Sequence, residues 1–328
     1  MADKLAIPTA SAAPPATLAR TGTAPAPVSD APPRGAPGFP YDEAFSRNIG
    51  WVTRAEQQIL RGKRVAIAGL GGVGGAHLLA LARLGVGKYR IADFDRFDFA
   101  NLNRQAGASV SSVGLAKSQV LEDMANDINP DAQIDVFSEG VTPSNVDAFL
   151  EGVDLYVDGL DFFAFGAREA VFNACSRKGI PAITVAPLGM GAALLNFLPG
   201  RMSFEAYFRW EGCDDTEKAL RFLVGLSPAF LHSPYLVDPD AVDFHARKGP
   251  STGLACQLCA GIAGTESLKI LLSRGRVLAA PWGMHFDAYR NVMKRTWRPL
   301  GNLNPIQRLA IRIARSRYCG QLPAAAKP

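Results

Sequence analysis

The sequence predicts an α/β fold with a doubly wound, mostly parallel sheet, and three observations lead there. Short β-rich runs alternate with stretches of helical spacing from Arg64 to Ala186, as right-handed βαβ crossovers require. The first run, Arg64-Val-Ala-Ile-Ala, leads into the glycine turn Gly69-Leu-Gly71-Gly72-Val-Gly74 and then a helix. The second run, Lys88-Tyr-Arg-Ile-Ala, ends on an acid, Asp93. Strand, glycine turn, helix and a later acid together make a Rossmann-like fingerprint.

The remaining elements follow in order. His77 to Leu84 continues the first helix, and Lys117 to Asn129 reads as a helix stopped by Pro130. Asp135 to Ser138 reads as a strand, Asn145 to Leu150 as a helical turn, and Asp154 to Gly159 as another strand. Ala167 to Lys178 is a helix with a basic last turn and a glycine stop at Gly179, as helix ends prefer. Pro181 to Ala186 follows as a strand, and Gly261 to Leu272 as a late helix. In the last helix, opened by Pro305, Ile306, Leu309 and Ile313 share one face and Arg308, Arg312 and Arg315 another. Such a helix is expected to cover its own domain, with a membrane surface or a partner as the alternative.

Composition sets wide bounds. With 328 residues, 48% apolar and 20% charged, the chain has ample material for a core. A formal charge of +5 permits attraction to phosphates without implying nucleic-acid binding. Residues 1–40, rich in Ala, Pro, Thr and Ser, bury too little to offset their ordering entropy and are expected to be a disordered tail. Residues 41–300 form the α/β domain and 301–328 a basic amphipathic segment. Met1 to Asp42 lacks the apolar core of an export signal, and the uncharged stretch Val65 to Ala82 is broken by clustered glycines, so no membrane span is expected. Five irregularly spaced cysteines argue against a secreted disulfide framework and for a reduced, cytoplasmic setting.

The glycine turn carries the first chemistry. Glycine lets the backbone approach a phosphate, and the N–H groups at the helix start hold the anion. Alone, the turn suits NAD, FAD or ATP equally. Asp93 can accept bonds from both ribose hydroxyls, and Asp95 organises the adjoining loop. Arg104, after Asn101-Leu-Asn103, and Lys117, after Val113-Gly-Leu-Ala, then separate the alternatives. An NAD-dependent oxidoreductase has no need of these cations, whereas an enzyme that expels pyrophosphate must neutralise its charge. Asp161, just past the strand ending at Val157, is placed to hold Mg²⁺ beside a triphosphate.

Gly-x-Gly-Gly-x-Gly, Asp-Phe-Asp, Asn-Leu-x-Arg-Gln, Gly-x-x-Lys and Asp-x-x-Asp in this order resemble the ATP site of the ThiF/MoeB/HesA family, relatives of the ubiquitin-activating enzymes. Thr265-Glu-Ser-Leu-Lys-Ile-Leu and Phe286-Asp-Ala resemble the family's late helix and closing strand. The resemblance implies a ThiF/MoeB-like fold and adenylation of a carboxylate with ATP and Mg²⁺. Gly69, Gly71, Gly72, Gly74, Asp93, Asp95 and Asn101 would line the nucleotide, Arg104 and Lys117 would meet the β- and γ-phosphates, and Asp161 would hold the metal. Arg47, in Phe45-Ser-Arg-Asn-Ile-Gly, resembles an arginine that reaches the γ-phosphate of a neighbouring subunit, which implies a homodimer. The implied substrate is the C-terminal carboxylate of a ubiquitin-fold or sulfur-carrier protein. A small-molecule or tRNA-borne carboxylate is the alternative, since Val113 to Lys117 and Val141 to Val146 are similar to the tRNA threonylcarbamoyladenosine dehydratase branch.

The sequence also departs from the family. Phe162 stands where the family has Asn, with Phe163 beside it, and these aromatics should make the mouth of the site more apolar. Arg168 reads equally as structural or substrate-facing. Many relatives hold a structural zinc with two Cys-x-x-Cys pairs, but here Cys256-Gln-Leu-Cys259 stands alone. Completing four ligands would need Cys213, Cys319 or His245, so zinc is not expected. Cys256 and Cys259, directly before the late helix, are either reactive thiols activated by its N-terminus or small core residues. Cys213, flanked by acids that would raise its pKa, is the rival thiol. His77 is expected to be a packing residue.

Overall fold

The computed structural model describes residues 38–242 and 249–318. The expected tail therefore lies outside the described residues up to residue 37, as do His245 and Cys319. In chain order the elements are α1 (Tyr41–Ala44), α2 (Arg54–Gly62), β1 (Arg64–Ala68), α3 (Gly72–Arg83), β2 (Lys88–Ala92), α4 (Lys117–Ile128), β3 (Gln133–Phe137), α5 (Val146–Phe149), β4 (Leu155–Asp158), α6 (Phe165–Lys178) and β5 (Ala182–Leu188). They continue with β6 (Gly191–Phe197), α7 (Phe204–Phe208), α8 (Asp215–Leu226), α9 (Gly253–Leu271), β7 (Trp282–Asp287), β8 (Val292–Trp297) and α10 (Pro305–Tyr318).

The strands form one sheet in the order β3-β2-β1-β4-β5-β6-β7-β8. From β3 to β5 every pairing is parallel, and from β5 to β8 every pairing is antiparallel. The chain winds outward from β1 to β3, then returns to the other side of β1 with β4. This reversal opens a crevice at the C-terminal ends of β1 and β4, where ligands of such sheets bind.

Strand residues alternate between two cores. Val65 and Ile67 of β1 join Leu78, Leu81, Leu121, Cys259 and Ala263 under α3, α4 and α9. Ala66 and Ala68 face the other layer, with Phe149, Val171 and the aromatic residues of α7 and α8. In that second core Phe172 stacks on Phe204 with centroids 4.4 Å apart, and Trp210 meets Phe165 edge-on at 5.3 Å. His77 is fully buried in α3, and desolvation pushes its pKa down to about 3. It is a neutral packing residue.

Two expectations change. The late helix α9 begins at Gly253, where the Thr252 side chain accepts from Ala255 N, eight residues before Gly261. Cys256 and Cys259 thus lie inside its first two turns.

The face of α10 that docks also differs from the one expected. Gln307, Ile311 and Ala314 are buried, and Ile311 and Ala314 pack on Leu220 and Val224 of α8. Ile306, Leu309 and Ile313 are 62%, 57% and 58% exposed. The turn before the helix sets this rotation. Asn302 Nδ2 donates to the carbonyls of Phe208 and Arg221 at 3.1 and 3.0 Å, and Gln307 Nε2 donates to Val224 O at 3.2 Å. Buried polar groups with exact partners fix the helix more firmly than a generic apolar face would.

Candidate functional site: a glycine loop at the switch point

The crevice is built around close backbone crossings. A Cβ on Gly74 would lie 1.7 Å from Gly69 O, and one on Gly69, at φ +81°, would lie 2.3 Å from Gly159 O. No side chain fits at either position, so the loops leaving β1 and β4 pack against each other through bare backbone. Gly71 differs, because a Cβ there would meet the Gln105 amide only at 3.7 Å. That opening lies at the N-cap of α3, where orphan N–H groups and the helix dipole attract an anion.

The predicted acids surround this loop. Asp93 is 9% exposed; one of its oxygens accepts from Leu70 N at 2.6 Å and the other from Asp95 N at 2.8 Å. Burial raises its pKa, opposed by those two N–H donors and by Lys117. Asp93 therefore holds the glycine loop in shape as well as facing the crevice. Lys117 opens α4 and is 6% exposed, with Nζ 2.9 Å from Asp95 Oδ2. Asp161 is exposed beyond β4 and accepts from Phe163 N at 2.9 Å. A carboxylate presented this way fits Mg²⁺, which uses one or two carboxylates with phosphate oxygens and water.

Arg104 runs its stem against the start of α3, 3.6 Å from a Cβ placed on Gly72. Its guanidinium donates to Ala100 O and to Asn103 Oδ1, both at 2.9 Å. Asn101 is turned inward, its Oδ1 accepting from Asp98 N at 3.0 Å, which makes it a cap of its own turn. Arg47 stands apart. Its neighbours Tyr41 and Asn48 bond to Gly85 O at 2.5 Å and Leu84 O at 3.3 Å, at the C-terminal end of α3. The twelve residues of α3 put that end about 18 Å from the loop.

Three residues take roles at the site that the sequence left unassigned or open. Gln105 is buried with its Nε2 3.7 Å from a Cβ placed on Gly71, and its Oε1 is without a hydrogen-bond partner. The motif Asn-Leu-x-Arg-Gln contained this residue, but nothing in its spacing gave it a role. Arg168 is 2% exposed; its Nε bonds Asp158 Oδ2 at 2.9 Å, and its remaining nitrogens donate to the carbonyls of Leu160, Asp161 and Phe162. It is a clamp that shapes the loop presenting Asp161. The expectation that Phe162 lines the mouth changes accordingly: its ring sits 5.3 Å from Phe222, against the aromatic core.

Cys256 is the third. Its Sγ lies 2.8 Å from a Cβ placed on Gly72, so it walls the glycine loop from the α9 side. Burial pushes its thiol pKa up, with Arg104 and Ser251 opposing. Cys259 is driven well above its usual range. The activation expected from a helix N-terminus is outweighed by desolvation inside the helix. Cys213 is half-buried by Arg209 O and lies outside the crevice; burial raises its pKa first, with Glu217 and Glu205 adding to it. Among the described residues no group of three or more His, Cys, Asp or Glu could hold a metal ion by itself.

The geometry invites comparison with known proteins. The ThiF family model matches residues 45–301. The chain belongs to the ThiF family. Among curated ThiF-like relatives, "Probable adenylyltransferase/sulfurtransferase MoeZ" of Mycobacterium tuberculosis is 32% identical over 222 residues, 68% of this chain and 51% of that protein. The tRNA threonylcarbamoyladenosine dehydratase of Escherichia coli is 33% identical over 133 residues, 40% of this chain and 49% of that one. The chain thus spans about half the length of these relatives. Of solved structures, PaaA superposes with TM-score 0.59 and 17% identity over 78% of this chain and 73% of that one. E. coli MccB with ATP superposes with TM-score 0.55 and 19% identity over 74% and 65%. Both share the fold of this chain.

Proposed function

We propose that this chain is an ATP-dependent adenylating enzyme acting on a carboxylate. The observation that supports it most is the glycine loop itself, whose helix start is open at Gly71, with the Arg104 stem against the start of α3 and Lys117 paired to Asp95 beside Asp93. In this reading the α3 N-terminus holds the phosphates and Asp93 the ribose. A substrate carboxylate oxygen attacks the α-phosphorus, and the bond to pyrophosphate breaks. Lys117 and Arg104 stabilise the charge that develops on the departing β- and γ-phosphates. Mg²⁺ held by Asp161 would supply further charge neutralisation. The work is positioning and electrostatics, with no protein nucleophile required.

The family resemblance, together with a relative named an adenylyltransferase/sulfurtransferase, favours the C-terminal carboxylate of a ubiquitin-fold or sulfur-carrier protein as substrate. A tRNA-borne carboxylate is the second reading, supported by the dehydratase relative. Arg47, held at the far end of α3, is proposed to serve the site of a second copy in a homodimer. ATP–pyrophosphate exchange tests all of this against ubiquitin-fold proteins and modified tRNA. Lys117→Ala and Asp161→Ala should each lower exchange about a hundredfold with unchanged melting temperature. Normal exchange in both variants, or tight NAD binding in place of ATP, would overturn the assignment.

A further inference from the structure

The formal charge of +5 hides a strong asymmetry. Nine of the 35 Lys and Arg fall after Asp287, a stretch with no Asp or Glu. The first 287 residues therefore hold 26 cations against 30 acids, a net −4. The same cationic stretch contains the apolar side chains that α10 leaves unburied.

Leu303, Ile306, Leu309 and Ile313 are 46%, 62%, 57% and 58% exposed on successive turns. Scattered exposed apolar residues are normal, but four in one ridge are not. The ridge runs about 10 Å between Ile306 and Ile313. Arg308 and Arg312 are exposed beside it. The opposite face, Gln307, Ile311 and Ala314, is docked on α8, so the ridge cannot rotate inward.

We propose that α10 is a docking surface for a membrane that contains anionic lipid, lying in the plane of the interface with the ridge among acyl chains and the arginines at the headgroups. In-plane helices combine these two features, an apolar strip and flanking cations. Charge complementarity selects this occupant over a second copy of the chain, which would press two runs of like cations together. The apolar ridge selects it over a nucleic acid, because phosphates give aliphatic side chains nothing to bury against. No described helix is long and apolar enough to cross a membrane, so the contact is peripheral. It is independent of the adenylation reading.

The test is co-sedimentation of the full chain with vesicles of phosphatidylcholine, alone or mixed with phosphatidylglycerol. Binding is expected on the mixed vesicles, weakening with salt, and little on phosphatidylcholine alone. The variant Ile306→Ser/Leu309→Ser/Ile313→Ser should lose about a hundredfold in partitioning. Arg308→Gln/Arg312→Gln should lose roughly thirtyfold on the mixed vesicles. Both variants should keep the wild-type melting temperature and pyrophosphate exchange, since all five side chains are exposed and outside the crevice. Three results would each overturn the proposal: no preference for anionic vesicles, arginine-dependent tRNA binding that the apolar variant leaves intact without vesicle binding, or a fall in assembly mass in the apolar variant.

Discussion

Strands β1, β2 and β4 are parallel and sheathed by helices on both faces, whereas β7 and β8 are antiparallel and β8 is largely exposed. The face of the sheet under α3 and α4 is aliphatic; the other face is packed by Phe197, Phe204, Tyr207, Phe208 and Trp210, which the second half supplies. The first half concentrates its constraints in backbone contact, as at Gly69, Gly74 and Gly159. The second uses side chains that reach carbonyls, such as Asn302 and Gln307. Backbone crossings tolerate no extra atom. Side-chain docking tolerates change wherever the docked face is spared. Helix α9 joins the halves, packing on β4, β5 and β6 while its first turns wall the glycine loop.

The largest effect should come from breaking a backbone crossing. Gly74→Val should destabilise by more than about 3 kcal/mol or abolish folding, because its Cβ would lie 1.7 Å from Gly69 O. Gly71→Ala, three residues away, should change urea stability by less than about 1 kcal/mol yet weaken ATP binding in calorimetry. Equal stability losses in the two variants would erase the distinction drawn between packing and ligand-facing glycines.

Next in size is the clamp at the boundary of the two halves. Arg168 and Asp158 side chains are 2% and 3% exposed, so Arg168→Leu should cost about 3–5 kcal/mol by stranding a buried carboxylate. Chemical denaturation measures it. A loss below about 1 kcal/mol would mean that the loop carbonyls and Thr184, which donates to the same Asp158 oxygen at 3.0 Å, suffice without it.

A third test compares the halves by pH. His77 lies in α3, and His285 lies in β7 with Nδ1 2.9 Å from Ser227 Oγ. Burial pushes their pKa values down to about 3 and about 4, with His232 adding to the effect at His285. A depressed histidine pKa means that the fold favours the neutral ring. Its stabilisation is complete above about pH 6.5 and declines as the pH falls, until about pH 4 for His285. The loss there is about 3 kcal/mol in all. Urea stability should fall along that limb, and His285→Gln should flatten it partly, leaving the contribution of His77. An unchanged limb in the variant would show that the β7 histidine contributes nothing to acid sensitivity.

The smallest pair lies on one helix. Ile311→Ala should cost about 2 kcal/mol, since Ile311 is 6% exposed, and Ile313→Ala less than about 0.5 kcal/mol, since Ile313 is 58% exposed. Reversed melting shifts would mean that α10 docks through its other face.

How much was legible in sequence followed the same division. The parallel half announced itself because each strand is a short apolar run punctuated by glycine or acid, and Asp93, Lys117 and Asp161 sit at strand ends or a helix start. Strand β6 and helices α7 and α8 went unread, because Gly191–Phe197 is buried throughout and shows no polar alternation, and α7 spans only five residues, too few for a period. The start of α9 was misplaced because Gly253, Gly261 and Gly264 interrupt its pattern.

By itself, the sequence determined the order of strands and helices from β1 to β5, the glycine loop and the acids and cations around it. These follow from local rules: period, turn residues and the ends of elements. Only the tertiary structure decided which glycines are forced by backbone crossing, that Arg168 turns inward to clamp the Asp161 loop, that Cys256 walls the glycine loop, and which face of α10 is buried. Each of those depends on what a distant segment presents at a few ångströms, and a helical wheel contains no information about its neighbour. An amphipathic pattern gave α10 an apolar face; the carbonyl of Val224 and the turn at Asn302 chose the other one.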